Sequence, residues 1–248
     1  MRLQVERGHA ATIIEGGVCE DPPNGGDAVA SVFECTRCNA LTYSASRTIR
    51  AACDSCGSRT MRVLDEVSFS AAIEAARTPA PGDHCVALVE DHADAARVAC
   101  PFIAEGLCAG ERVLVWLPAG VCARIEASLP AEDLNRLELV AAETVYVPPF
   151  DAAATVAAVV ELARSEPAPL RVVGGPMGDP LDVAPLEEWE RYETLAHEAC
   201  VSEGITALCV WEAPRMPDEV LDIVRRSHGL IRRDDALHRN PDFLWAGA

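Results

Sequence analysis

Four cysteines carry the plainest chemistry in this chain. Cys35-Thr-Arg-Cys38 and Cys53-Asp-Ser-Cys56 are two Cys-x-x-Cys pairs with 14 residues between them. Each pair can turn two thiolates onto one ion from a tight knuckle, and two knuckles complete a tetrahedron of sulfur. Gly57 supplies a flexible turn behind the second pair. The spacing predicts one structural Zn²⁺ per chain, held by Cys35, Cys38, Cys53 and Cys56, with rubredoxin-type iron as the minor option. Phe33, Leu41, Tyr43 and Met61 are expected to flank the metal in short strands, which makes a zinc ribbon. Two redox-active pairs are the weaker alternative, because the βαβ context of a thioredoxin-like motif is missing. Between residues 35 and 62, five arginines (Arg37, Arg47, Arg50, Arg59, Arg62) face a single acid, Asp54. That basic excess suits nucleic acid or an acidic partner. The plainer reading is a stability staple, since a ribbon this small cannot fold without its metal.

A second group lies at the ends of apolar runs farther along. His84, Glu90, Asp91, Arg171, Gly174, Trp211 and Glu212 are the expected ligand-binding residues of a cleft. Glu90 and Glu212 are expected to meet at its floor with Arg171 as counter-charge, and Gly174–Asp179 to act as a mobile lid. An enzyme could use these carboxylates with His84, but no nucleophile–base pair, GxSxG, HExxH or GxGxxG accompanies them. No catalytic residue is therefore assigned. All 21 basic residues are arginine, so Schiff-base chemistry and the phosphate-cradling lysine of P-loop enzymes are excluded. Single histidines at element ends, such as His84 and His228, more often cap or hydrogen-bond within a core. His197 and Cys200 share a helix face but show no second ligand pair. Cys85, Cys100, Cys108, Cys122 and Cys209 read as small core residues, a thiol-based redox or metal sensor being the alternative. Glu187-Glu188-Trp189-Glu190-Arg191-Tyr192-Glu193 reads mostly as a solvated helix face, although Trp189 and Tyr192 could cover a pocket.

These residues need elements to position them. The 248 residues carry 39 acidic against 21 basic groups, a net charge of −18, with 50% hydrophobic residues. The length suits one domain plus a small appendage, and the charge disfavours nucleic acid and anionic membranes for the molecule as a whole. The first eight residues carry three charges and no apolar run, which argues against a secretory signal, and no stretch approaches the roughly 20 residues of a membrane span. A cytoplasmic protein is expected. Residues 1–66 hold the ribbon, and 67–82 a short helix and a Pro-rich linker. From 83 to 248, strands alternate with helices: Cys85–Val89, Arg112–Leu117, Leu137–Ala142, Leu170–Val173 and Ile205–Trp211 as strands. Asp94–Leu107, Val121–Ser128, Asp151–Ser165, Leu186–Glu203 and Pro217–Ser227 are the helices, with a polar tail behind them. This alternation predicts a doubly wound, mostly parallel sheet.

Asp83-His84 through Glu90, Pro101-Phe102 through Leu107 and Gly110-Glu111-Arg112 resemble the MEDS sensory domain. The likeness runs on through Tyr146, Phe150-Asp151, Arg171 with Gly174, Trp189–Glu193, Leu208-Cys209, His228 and Asn240-Pro241. It covers roughly residues 82–243 and rests on order and spacing more than on any one motif. The resemblance implies a RecA/KaiC-like layout and a sensing or regulatory role, in signalling or transcription regulation, with an unidentified small molecule or regulatory protein as partner. It leaves room for a homo-oligomer. Nucleic acid is expected only through the ribbon, and membrane not at all. Where a KaiC-like ATPase carries its glycine-rich phosphate loop, this chain reads Glu90-Asp91-His92-Ala93-Asp94. Three carboxylates there repel a triphosphate. The chain also departs from the family's pattern at Val89, Gly175, Trp211-Glu212 and Gly229.

Overall fold

The structure, a computed structural model, describes residues 11–12, 31–35, 41–44, 60–64, 76–233 and 236–243. The chain divides between Glu74 and Ala75 into two compact units. In the N-terminal unit four short strands, β1 (Ala11–Thr12), β2 (Ser31–Cys35), β3 (Leu41–Ser44) and β4 (Thr60–Leu64), form an antiparallel sheet ordered β1-β4-β2-β3. Phe33, Leu41, Tyr43 and Met61 all stand in these strands, and buried Cys35 ends β2 opposite Met61. Cys38, Cys53 and Cys56 lie outside the described residues, as does most of the 67–82 segment.

The larger unit is built on seven strands: β5 (His84–Val89), β6 (Arg112–Leu117), β7 (Leu137–Ala141), β8 (Leu170–Gly174), β9 (Thr206–Glu212), β10 (Leu230–Arg233) and β11 (Ala236–Arg239). Their order is β11-β10-β5-β9-β8-β6-β7, and every neighbouring pair is parallel except the β10–β11 hairpin. The central strands are nearly unbroken apolar runs because both their faces are covered. On one face lie α1 (His92–Cys108) and α2 (Ala119–Ser128), whose Val98, Phe102, Val121 and Ile125 pack on Cys85, Val115 and Leu208. A single turn, α3 (Ala131–Leu134), leads into β7. On the other face lie α4 (Ala152–Ser165), α5 (Leu186–Glu203) and α6 (Asp218–Ser227), packed on Val86, Leu114 and Cys209. Asp151 caps α4 by accepting from Ala154 N at 3.0 Å, and Gly204, at φ 69°, ends α5. Pro101 sits inside α1 without interrupting it. Among the described residues, no helix is long and apolar enough to cross a membrane.

One reading of the sequence fails here. The supposed polar tail after Ser227 is the β10–β11 hairpin, which adds two strands to the sheet beside β5. Its buried anchors, Leu230 and Leu237, are separated by Arg232, Arg233, Asp234 and Asp235, so charge conceals the short alternation.

Candidate functional site

Period-two alternation sorts the strand residues between the two faces. Along β5 it sends His84 and Val86 toward α5 and α6, and along β9 it sends Cys209 and Trp211 the same way. The sequence 186–203 folds as a helix with its apolar stripe on the sheet, and Glu193 falls on that stripe, four residues after Trp189 and four before His197. His228 ends α6 and opens the turn into β10. Four elements thus aim His84, Glu193, Cys209 and His228 at one point beneath α5.

Their candidate ligand atoms all lie within 4.8 Å of one another. His84 Nε2 is 3.3 Å from Cys209 Sγ and 3.8 Å from Glu193 Oε2, and His228 Nε2 is 3.4 Å from the same carboxylate oxygen. None is more than 8% exposed. His228 Nδ1 stands 2.7 Å from the Val224 carbonyl. A carbonyl only accepts, so Nδ1 carries the proton and Nε2 presents its lone pair to the cluster. The Ser227 hydroxyl donates to Glu193 Oε2 at 3.3 Å.

Burial sets the charge states. It pushes the Glu193 carboxyl up to about 8 against the Ser227 hydrogen bond, and the Cys209 thiol far above its ordinary range, with Glu193, Cys200 and Cys85 adding to the rise. It drives His228 down to about 3, with Val224 opposing and His197 assisting, and His197 down to about 4. His84 is lowered by burial and then by His228 and His197, against the Ser227 backbone. Without an added charge the cluster favours a neutral acid, a neutral thiol and neutral imidazoles, because desolvating isolated ions costs more than protonating them. Two imidazoles, a thiol and a carboxyl are also a donor set that could hold a metal ion.

A cavity of about 40 Å³ adjoins the cluster, roughly the room of three waters. His84, Cys200 and Cys209 share its wall with Tyr146, Tyr192 and Gly174, and most of the remaining wall is aliphatic. The Tyr146 and Tyr192 hydroxyls lie 3.2 Å apart, and burial raises both phenols. Phe150 stacks on Trp189 at 4.8 Å, and Trp189 Nε1 donates to the Pro180 carbonyl. Tyr192 therefore lines the cavity while Trp189 braces the layer behind it.

The residues expected to form a cleft are dispersed. His84 and Gly174 border the cavity; Trp211 is buried against Trp189 at 5.5 Å. Glu90 is exposed, and Glu212 lies 3.9 Å from Arg215. Asp91 caps α1 by accepting from Ala93 N at 2.7 Å and Asp94 N at 2.9 Å, bonds that hold its carboxyl below the usual range. The helix N-terminus that would cradle a phosphate is thus closed by the chain's own carboxylate. Arg171 is no counter-charge to Glu212. It pairs with Thr206 across the sheet, six residues back along β9, about 20 Å from Glu212. There it runs beneath Gly106, where a Cβ would come 2.6 Å from Arg171 Cδ, and grips Glu111 with Nε and Nη2 and the Phe102 carbonyl with Nη1. Nor is the segment after β8 a lid. Gly175 and Pro176 are buried, and a Cβ on Gly175 would meet the Val210 carbonyl at 1.9 Å.

Two further readings change. Glu193 is buried, not solvated, and its place on the α5 stripe is the signal in the sequence that marks it. Cys108 is exposed and Cys100 half-buried, so only Cys85, Cys122 and Cys209 of that set are core. None of the curated proteins matches the chain. A protein-family model does, over residues 83–229, from the first strand of the parallel sheet to the turn that carries His228. The chain belongs to the MEDS family, the MEthanogen/methylotroph, DcmR Sensory domain.

Proposed function

We propose that the protein is a sensory regulator whose α/β unit binds a small molecule in the cavity between the sheet and helices α4 and α5. Family membership supports the sensory role. The carrying observation is the cavity itself, an apolar chamber with Tyr146, Tyr192, His84 and Cys209 in its wall. Folded cores close most voids, and leaving 40 Å³ unfilled costs about 1 kcal/mol. Its size fits a ligand of a few non-hydrogen atoms. Of the cleft residues expected from sequence, His84 and Gly174 belong to this site.

A RecA/KaiC-like layout for the α/β unit is supported by its mostly parallel sheet and by the position of the Glu90–Asp94 turn. A zinc ribbon in the N-terminal unit, with Cys35, Cys38, Cys53 and Cys56 as ligands, is supported by the spacing of the two pairs and by Cys35 at the end of β2. Its partner would be a regulatory protein, or nucleic acid met by the basic ribbon, in a cytoplasmic signalling or transcription-control role.

Xenon enters apolar cavities whatever their natural ligand, and so tests this one directly. Xenon NMR of the full chain should show saturable binding that Ala199→Leu, which fills the chamber, abolishes while circular dichroism stays unchanged. Absence of saturable binding in the wild type contradicts the reading.

A further inference from the structure

We propose that His84, Glu193, Cys209 and His228 form a buried four-coordinate centre for a divalent transition-metal ion of zinc's class, separate from the N-terminal cysteines. A tetrahedral ion with bonds of about 2.0–2.3 Å needs ligand atoms about 3.3–3.8 Å apart along each edge. The three measured edges are 3.3, 3.8 and 3.4 Å, and the whole set falls within 4.8 Å. Closing the remaining edges around an ion requires movements of up to about 1 Å, including a spreading of the His84 and His228 rings, whose centroids stand 4.0 Å apart.

Orientation agrees with distance. The Val224 carbonyl fixes the proton of His228 on Nδ1 and leaves Nε2 as the donor, the backing that metal-bound histidines ordinarily have. His228 Nε2 and Glu193 Oε1 are fully buried and have no hydrogen-bond partner among the described residues. Unsatisfied polar atoms are costly in a folded core, and a cation held by His228 Nε2 and the Glu193 carboxylate relieves that cost, while His84 Nδ1, also without a hydrogen bond among the described residues, stays unsatisfied.

Charge and softness then select the ion. A thiolate and a carboxylate bring two negative charges, so a divalent ion leaves the apolar interior neutral. Thiolate and imidazole donors favour Zn²⁺, Co²⁺ or Fe²⁺ over Mg²⁺ and Ca²⁺, which prefer oxygen. The ligands come from β5, α5, β9 and the end of α6, so the ion would tie the α5–α6 layer to the sheet. His84 and Cys209 are also cavity wall, so a small molecule bound there would lie against the metal's own ligands. That last link rests on the sensory reading above; the metal centre does not.

The test uses the full chain, loaded with Zn²⁺ or Co²⁺ and freed of loose metal. Cys209→Ser and His228→Gln should each lose one equivalent per chain, in addition to whatever Cys53→Ser removes. The cobalt difference spectrum between wild type and Cys209→Ser should show thiolate charge transfer and tetrahedral d–d bands. Variants with wild-type circular dichroism and unchanged metal content overturn the proposal. Should they not fold, zinc X-ray absorption of the wild type decides: a nitrogen or oxygen shell at about 2.0 Å beside sulfur at about 2.3 Å supports it, and an all-sulfur shell overturns it. Failure of the sensory reading looks different: a wild type that holds this equivalent and takes up no xenon.

Discussion

At the scale of the residue, a side chain's chemistry is fixed by what surrounds it, and sequence exposes that unevenly. His84, Cys209 and His228 stand at the end or in the middle of apolar segments, so their burial is legible. Their convergence is not, because 143 residues lie between His84 and His228. Arg171 shows the reverse error. Its type and its place near a strand end suggest a ligand contact, whereas its side chain is 5% exposed and locked to Glu111, itself 10% exposed. Breaking such a pair leaves a buried charge unmatched. Arg171→Met is therefore expected to cost about 3 kcal/mol or more, read as a fall in the denaturation midpoint, while xenon uptake by whatever remains folded is unchanged. An Arg171→Met protein of full stability that loses xenon binding would return Arg171 to a ligand role.

At the scale of the element, the alternation of apolar runs and capped helices is enough to place five strands and five helices of the larger unit within about two residues of their observed ends. Strand order and the closing hairpin are not readable that way. The hairpin is also held from outside its own strands by Asn240, whose side chain donates to the Arg225 and His228 carbonyls at 2.5 and 2.8 Å. Those two bonds bind the end of β11 to the turn that presents His228. Asn240→Ala deletes both donors and leaves two carbonyls unsatisfied, an expected loss of about 1–3 kcal/mol. It should also quicken amide exchange in β10 and β11 before the rest of the sheet. Uniform exchange across all seven strands would deny the hairpin this clamp.

At the scale of the whole molecule, an acidic chain of net charge −18 carries a small antiparallel unit and a mostly parallel α/β unit whose titratable cluster is buried. Ligands of open α/β folds ordinarily lodge at the carboxyl edge of the sheet, and a strand pattern therefore directs attention there. That edge holds exposed Glu90, helix-capping Asp91 and the packed Gly175 segment, while the cluster of unsatisfied polar atoms around Glu193 and the cavity lie under α5. Spacing patterns find ligands that are neighbours in sequence, such as the two Cys-x-x-Cys pairs. They do not find a set assembled from four elements, and so sequence defines a complete ligand set only for the N-terminal metal. The decisive measurement is anomalous diffraction at the zinc edge from crystals of the full chain. A peak within bonding distance of His84 Nε2, Glu193, Cys209 Sγ and His228 Nε2 is the predicted result. A map with density at the N-terminal cysteines and none beneath α5 would contradict it.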